Sequence, residues 1–373
     1  MSSPLITVLM TVYNGGNYLK SSIDSVLQQT FKDFELLIIN DKSTDDSLGI
    51  IQSYQTKDSR IVVHSNSVNI GQTKSLNMGL NLARGTYVAR MDADDLVFPD
   101  WLTKLSMFLH GNPDIAVVSA KAVVINGSKG LVRILNTPTE WPQILLKSLT
   151  FSPINHVGSL MRKDIILQVG RYDENYHVPA DFQMWSRLLR HGHQLAMLPQ
   201  ILIAIRFHLD NQSRIKNSEE FIKIIYDNVR HWTTYPLNEQ EAGLLYQLVY
   251  EISILNQENF KQAMMIFKNV YHQLRVSSIT LAMVDQFLED QERTLTMKKI
   301  FFYIESSDLQ SIRSLAQDYM KNNGRKNIFL FIWFASLAGT FVLRIVPNVY
   351  QIREWLKLQW NLFRQPLPKG IYG

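Results

Sequence analysis

Two carboxylates one residue apart, Asp92-Ala93-Asp94, follow directly on the apolar-leaning run Tyr87-Val88-Ala89-Arg90-Met91. Carboxylates so spaced at the end of a strand can hold a divalent metal against a diphosphate. Alone the triplet carries little weight, because 20 Asp in 373 residues supply about one Asp-x-Asp by chance. Its weight comes from two further polar clusters that also close apolar runs, Thr11-Val12-Tyr13-Asn14-Gly15-Gly16 and Asn40-Asp41-Lys42-Ser43-Thr44-Asp45-Asp46. Together the three offer what a nucleotide diphosphate needs: a ring to stack a base, a carboxylate to accept from the base N–H, and carboxylates for a metal. No glycine-rich phosphate loop follows a strand, so Mn²⁺ or Mg²⁺ must neutralise the phosphates instead. Asp45 and Asp46 read as helix N-terminal residues and Asp95 as a cap or hydrogen-bonding partner. His191 and His193, two apart after a helix, do not converge on one ion and read as a solvated turn.

Such clusters need a scaffold that brings several strand ends to one edge. Ile6-Met10, Phe34-Ile39, Arg60-His64, Tyr87-Met91 and Ile115-Ser119 read as strands rich in Val, Ile and Leu. Between them, Tyr18 to Gln29, Thr44 to Tyr54, Thr73 to Ala83 and Pro99 to Leu109 repeat their apolar residues at helical spacing. This rhythm predicts an α/β fold with a mostly parallel sheet covered on both faces, binding its ligand beyond the carboxyl ends of the strands.

The chain is long enough for two or three domains. We expect an α/β domain over 1–215, its second part mixed, a helical domain over 216–323, and a tail over 324–373. The tail holds sixteen uncharged residues, Ile328 to Leu343, short of the about 18 that a membrane span requires. Beyond Pro347, Ile352, Trp355, Leu356, Trp360 and Phe363 share a helical face flanked by Arg353, Lys357 and Arg364, the composition of an in-plane membrane anchor. Eight basic residues against Glu354 give residues 321–373 a charge of +7, so the chain's net +5 leaves −2 for the rest. That argues against a nucleic-acid footprint and for attraction of the tail to anionic lipids. The absence of cysteine and of a signal-peptide pattern at the N-terminus fits a catalytic part on the cytoplasmic face of a membrane.

The ordered series extends past the acidic triplet. After TVYN and NDKSTDDS come Asn69-x-Gly71, Ser75-x-Asn77-x-Gly79 and Arg84-Gly85-x-Tyr87. Beyond the triplet follow Asn155-His156-x-Gly158 with Met161-Arg162, Gly170-x-Tyr172-Asp173, Ala180-Asp181 through Trp185 to Leu188, and Arg206-x-His208 with Gln212-Ser213. Over residues 4 to 215 this resembles the family 2 glycosyltransferases of the GT-A fold, the group that builds bacterial surface polysaccharides. The resemblance implies a Rossmann-like domain that binds a nucleotide sugar. Thr11, Val12, Tyr13 and Asn14 would meet base and ribose, Asp41 would read the uracil N3, and Lys74 and Ala93 would lie on the donor side. Asp92 would sit near ribose and metal, Asp94 would be the metal ligand, and His208 a further residue near the diphosphate and metal. Asp181 would be the general base, with His156 and Trp185 on the acceptor side. The family often has Glu-Asp where this chain has Ala180-Asp181.

The chemistry fits that assignment. Displacing a nucleoside diphosphate from an anomeric carbon needs neutralisation of the leaving group and removal of a proton from the acceptor hydroxyl on the opposite face. One carboxylate base suffices for inversion. The Gln-x-x-Arg-Trp string of processive synthases is absent, Arg230-His231-Trp232 being the nearest. The resemblance therefore implies an inverting, single-addition enzyme moving a hexose or N-acetylhexosamine, with UDP as the expected carrier and a polyprenyl-diphosphate-linked saccharide as acceptor. Two other readings stay open: a non-catalytic nucleotide-sugar-binding scaffold, and a nucleotidyltransferase.

Overall fold

The computed structural model describes residues 3–126, 130–135, 137–208 and 217–305. Gln212-Ser213 and the expected membrane-associating tail lie outside the described residues. Among the described residues no helix is long and apolar enough to cross a membrane.

In chain order the first half runs β1 (Ile6–Val12), α1 (Gly16–Leu27), β2 (Phe34–Asn40), α2 (Ser47–Gln55), β3 (Ile61–Ser65), α3 (Gln72–Leu82), β4 (Tyr87–Asp92), β5 (Leu96–Val97), α4 (Trp101–Gly111), β6 (Ile115–Asn126) and β7 (Gly130–Ile134). Then follow α5 (Trp141–Ser148), β8 (Leu160–Arg162), α6 (Lys163–Gln168), α7 (Ala180–Arg190), β9 (Gln194–Phe207), α8 (Ser218–Trp232), α9 (Glu239–Tyr250), α10 (Gln257–His272) and α11 (Leu281–Glu305). The sheet order is β3-β2-β1-β4-β8-β6-β9-β5, with β7 paired to β6.

β3, β2, β1 and β4 are parallel, and the register sets Val12 beside Asn40 and Thr11 beside Asp92. The three polar clusters therefore end level at one edge. Every residue of β1 and β2 is buried, because helices cover both faces, and such strands read as continuous apolar runs. Val8, Met10, Ala89 and Met91 join the core under α1, α2 and α4. Leu9 faces the other way, onto α3, where a Cβ on Gly79 would come within 2.2 Å of its Cδ1. That contact accounts for the glycine of the Ser75-x-Asn77-x-Gly79 pattern.

β6 continues seven residues beyond the expected strand end at Ser119, and β9, fourteen residues long, runs parallel beside it. The expected mixed stretch thus contributes two long strands, and β9 carries the chain back to the edge where β4 ends. Trp101 is fully buried and its Nε1 donates to Gly158 O at 2.8 Å. Gly158 has φ +72, and a Cβ there would meet Ile203 Cδ1 at 2.4 Å. Gly158→Ala combines a left-handed backbone with overpacking, so it should lower unfolding free energy by about 2–4 kcal/mol, read by urea denaturation; a loss well under 1 kcal/mol would refute this packing account.

The chain divides into two compact units, Met1–Val249 with Met265–Leu288, and Tyr250–Met264 with the described residues from Glu289 onward. The expected boundary at 215/216 is not where they part: α8 and α9 belong to the unit that holds the sheet. A buried asparagine explains this for α8. Asn228 Nδ2 donates to Ser148 O on α5 and Ser186 Oγ on α7, both at 2.8 Å, and its Oδ1 accepts from Arg190 Nη1 at 2.6 Å. In the other unit, the buried Lys299 ammonium donates to the carbonyls of Ile252, Ser253 and Leu255 and closes a short 3₁₀ turn.

Candidate active site

The loop after β1 is tied to the loop after β2 mainly through side chains. Asn14 adopts φ 53 and Lys42 φ 59, the left-handed region that asparagine tolerates better than most residues. Asn14 Oδ1 accepts from Thr44 N at 2.8 Å and Thr44 Oγ1 at 3.3 Å, while Asn14 N donates to Ser43 Oγ at 3.1 Å. Asp45 accepts from Gly16 N and Ser47 N, both at 3.0 Å. Against the burial that opposes it, these bonds hold its carboxyl below the ordinary value, in keeping with a helix N-terminal role. Tyr13 is half exposed at the edge, its ring open to a stacking partner. Thr11 is buried and its Oγ1 has no partner among the described residues. Val12 is a correction: its side chain lies in the core and its carbonyl accepts from Asp41 N at 2.8 Å, so no side-chain contact with a donor is open to it.

Asp41 is nearly saturated. Oδ1 accepts from Asn66 Nδ2 at 2.8 Å and Ile70 N at 2.9 Å, and Oδ2 from Gly71 N at 2.8 Å. A carboxylate offers about four lone-pair sites, which leaves one on Oδ2 for a donor such as an imide N–H.

The first turn of α3 gathers the site. Gly71, with φ 84, holds Asp41; Gln72 Nε2 donates to Asp92 Oδ1 at 3.3 Å; Thr73 Oγ1 donates to Tyr176 O at 3.1 Å. One turn on, Asn77 clamps Tyr172, giving Nδ2 to its carbonyl at 2.9 Å and accepting its N–H at 3.0 Å. Lys74 is exposed on the same turn. Ala93 sits against the β1 loop, where a Cβ on Gly15 would reach 3.3 Å from its own Cβ.

Asp92 ends β4, and one ligand oxygen from each of Asp92, Asp94 and Asp95 lies within 4.8 Å of the others. Asp94 Oδ2 meets His208 Nε2 at 2.8 Å. The His208 ring stacks on Tyr18 at 4.9 Å, with Arg206 over the Tyr18 ring at 4.6 Å. Asp95 Oδ1 accepts from Arg206 N at 2.7 Å, so it is the hydrogen-bonding partner expected of it. Burial, then the charge of Asp92, push the Asp94 carboxyl up, opposed by the bond to His208. Burial with the charges of Asp92 and Asp94 push Asp95 up further. Crowded carboxylates with an imidazole beside them are a donor set that fits Mn²⁺ or Mg²⁺, since a divalent cation relieves the repulsion that raises these carboxyls.

Asp181 is the second residue of α7, half-buried, accepting from Ser152 Oγ at 3.1 Å. Burial raises its carboxyl above the ordinary range, opposed by the bonds from Phe182 N and Ser152. His156 is half-buried, its Nε2 2.7 Å from Tyr172 Oη. Burial and then the nearby Arg90 hold its imidazole well below its usual pKa, hence neutral at pH 7. Burial also raises the Tyr172 phenol. Trp185 is a correction. It lies one turn after Asp181 on the same helix face and is fully buried, edge-on to His156 at 6.0 Å between ring centroids, so its side chain backs His156 rather than lining the surface. Ala180 is buried as well. His191 bonds Arg187 O in the turn expected for it.

Sequence reasoning quoted Tyr172 in the ordered series without giving it a role, and missed Arg90, Ser152 and Gln72 as participants in this geometry. Of these three, only Arg90 left a signal of its own, as the single charge inside an apolar strand.

Comparison with known proteins agrees with this geometry. Residues 7–166 match the family model described as Glycosyl transferase family 2. An uncharacterized glycosyltransferase of Methanocaldococcus jannaschii is 32% identical over 244 residues, 62% of this chain and 83% of that protein. The structure of S. aureus TarS 1–349 in complex with UDP-GlcNAc superposes with a TM-score of 0.53 at 17% identity, covering 85% of this chain and 92% of that one. Mannosyltransferase PcManGT from Pyrobaculum calidifontis, in complex with GDP-Man and Mn²⁺, gives a TM-score of 0.50 at 14% identity, covering 79% and 81%. An acid cluster at the end of a parallel strand, inside a matched span that takes in the ends of β1, β2 and β4, thus has a known home: the chain belongs to glycosyltransferase family 2 and is a glycosyltransferase of the GT-A type of α/β fold.

Proposed function

We propose that this glycosyltransferase is an inverting, metal-dependent enzyme that moves one hexose or N-acetylhexosamine from a UDP-sugar to a hydroxyl of a lipid-linked saccharide, with Asp181 as general base. One arrangement carries the reading: Trp185, one turn after Asp181, lies against His156, His156 bonds Tyr172, and α3 holds both Tyr172 through Asn77 and Asp92 through Gln72. A lone carboxylate thereby stands apart from the acid cluster yet is joined to it through one continuous chain of contacts. Asp92, Asp94 and His208 would hold the cation, which when bound neutralises charge on the departing diphosphate. Tyr13 stacks on the base and the open lone pair of Asp41 accepts from its imide N–H. A carboxyl raised toward the working pH is a stronger proton acceptor than an ordinary aspartate, which suits Asp181 to take the acceptor's proton. UDP as carrier is supported by the TarS complex, and Mn²⁺ by the mannosyltransferase complex. The basic, tryptophan-bearing tail supports work at the cytoplasmic membrane surface on a polyprenyl-diphosphate-linked acceptor.

The test is a panel of UDP-, GDP- and dTDP-sugars with Mn²⁺, read first as thermal stabilisation and then as release of the nucleoside diphosphate with a polyprenyl-linked acceptor in anionic vesicles. We expect UDP release, faster on vesicles than with a soluble acceptor. Pyrophosphate release would make the protein a nucleotidyltransferase, and binding without turnover of any donor would make it a scaffold. Equal rates on both acceptors would remove the membrane part of the proposal.

A further inference from the structure

Arg90 sits where an apolar residue would pack well. On β4 its neighbours Ala89 and Met91 join the core under α1 and α4, so Arg90 and Asp92 project from the opposite face, toward α3 and the segment leading to α7. Its side chain is fully buried. Nη2 donates to Asp92 Oδ1 at 2.5 Å, whereas Nε and Nη1 have no acceptor among the described residues. A buried guanidinium with one counter-ion and two unmet donors is unfavourable by comparison with a methionine of similar length. A residue kept on those terms calls for a reason beyond packing.

The surroundings supply one. Both donors that reach Asp92, Arg90 Nη2 and Gln72 Nε2, converge on Oδ1, which leaves Oδ2 without a donor among the described residues. The charged and titratable groups within electrostatic reach of Arg90 are Asp92 and Asp95 at the end of β4, Tyr172 ahead of α7, Asp181 on α7, and His156 ahead of β8. The guanidinium is thus a fixed positive charge acting both on the end of β4 and on Asp181.

We propose that Arg90 is a positioning residue of the transfer site, holding the Asp92 carboxylate by Oδ1 so that its other oxygen is presented to the cation. The inference deepens the reading of Asp92, Asp94 and Asp181 given above and rests on it. Groups that orient a ligating carboxylate influence affinity nearly as directly as the ligand does.

Arg90→Met, Arg90→Lys and, as a control, Arg84→Met are to be compared in the full chain. Arg84 also makes an ion pair, with Glu35 at 2.5 Å, but at the far end of the strands. Mn²⁺ binding is followed by water-proton relaxation without donor, and turnover of the UDP-sugar separately. Arg90→Met should weaken Mn²⁺ binding by about 10- to 100-fold and lower kcat more than it raises the donor KM. Arg90→Lys, which keeps the charge, should recover part of both losses, and Arg84→Met should bind Mn²⁺ like wild type. Wild-type Mn²⁺ affinity in a folded Arg90→Met protein overturns the proposal. Should that variant not fold, Mn²⁺ affinity and kcat of Arg90→Lys both equal to wild type would overturn it equally. Failure of wild type to turn over any nucleotide sugar would sink the transfer reading alone, and the Mn²⁺ comparison would still decide for Arg90.

Discussion

Asp181→Asn should lower kcat by about 10²- to 10⁴-fold, the usual contribution of a positioned general base, while Mn²⁺-dependent binding of the UDP-sugar stays as in wild type. The amide keeps the shape and can still meet Ser152, but it cannot take a proton. A pH profile sharpens the expectation. Because burial raises the Asp181 carboxyl above the ordinary aspartate value of about 3.9, the group becomes protonated, and the rate falls, as pH drops through that raised value. The acidic limb of kcat should therefore lie higher than an exposed aspartate would give, and should vanish from the residual activity of the Asn variant. Loss of donor affinity equal to the loss of turnover would mean that the base has been misplaced.

Asp94→Asn should act on the other half of the reaction. It removes one charge of the cluster and the carboxylate that meets His208 at 2.8 Å, so Mn²⁺ affinity should fall by more than about 100-fold, beyond the range of a residue that merely supports a ligand. Donor affinity and kcat should fall with it. Stability should move the opposite way when metal is withheld. A carboxyl whose pKa is raised by folding destabilises the folded state once ionised, a penalty present above the raised value and relieved as pH falls through it. With EDTA present at pH 7, the Asn variant should melt at or above the wild-type temperature. Wild-type Mn²⁺ affinity in Asp94→Asn would remove the carboxylate from the metal site.

The parallel half of the sheet was legible because its strands are continuous apolar runs and its helices keep strict period, so β1 to β4 and α1 to α4 fall within a few residues of expectation. β9 was not, since Pro199 interrupts its run. In the structure Ala120 pairs with Leu198 and Lys121 with Ile201, so Pro199 and Gln200 fall in a register shift, where a residue without an N–H does no harm to the ladder. The site was legible through spacing and family likeness, which give position along the chain but not the direction of a side chain. That is why Val12 and Trp185 were expected at the ligand and are found in the core. Arg90 went unnoticed for a related reason: a covered sheet marks the position as buried, but only the structure shows the guanidinium bonded to Asp92 Oδ1.

The three successive bonds of Gly71, Gln72 and Thr73 carry a consequence for engineering. Because one helical turn bonds Asp41, Asp92 and the segment ahead of Asp181 together, donor and acceptor preferences should not behave as separable modules under the proposed function. A chimera that takes residues 172–190 from a relative with a different acceptor should inherit that preference only when residues 69–77 come from the same parent.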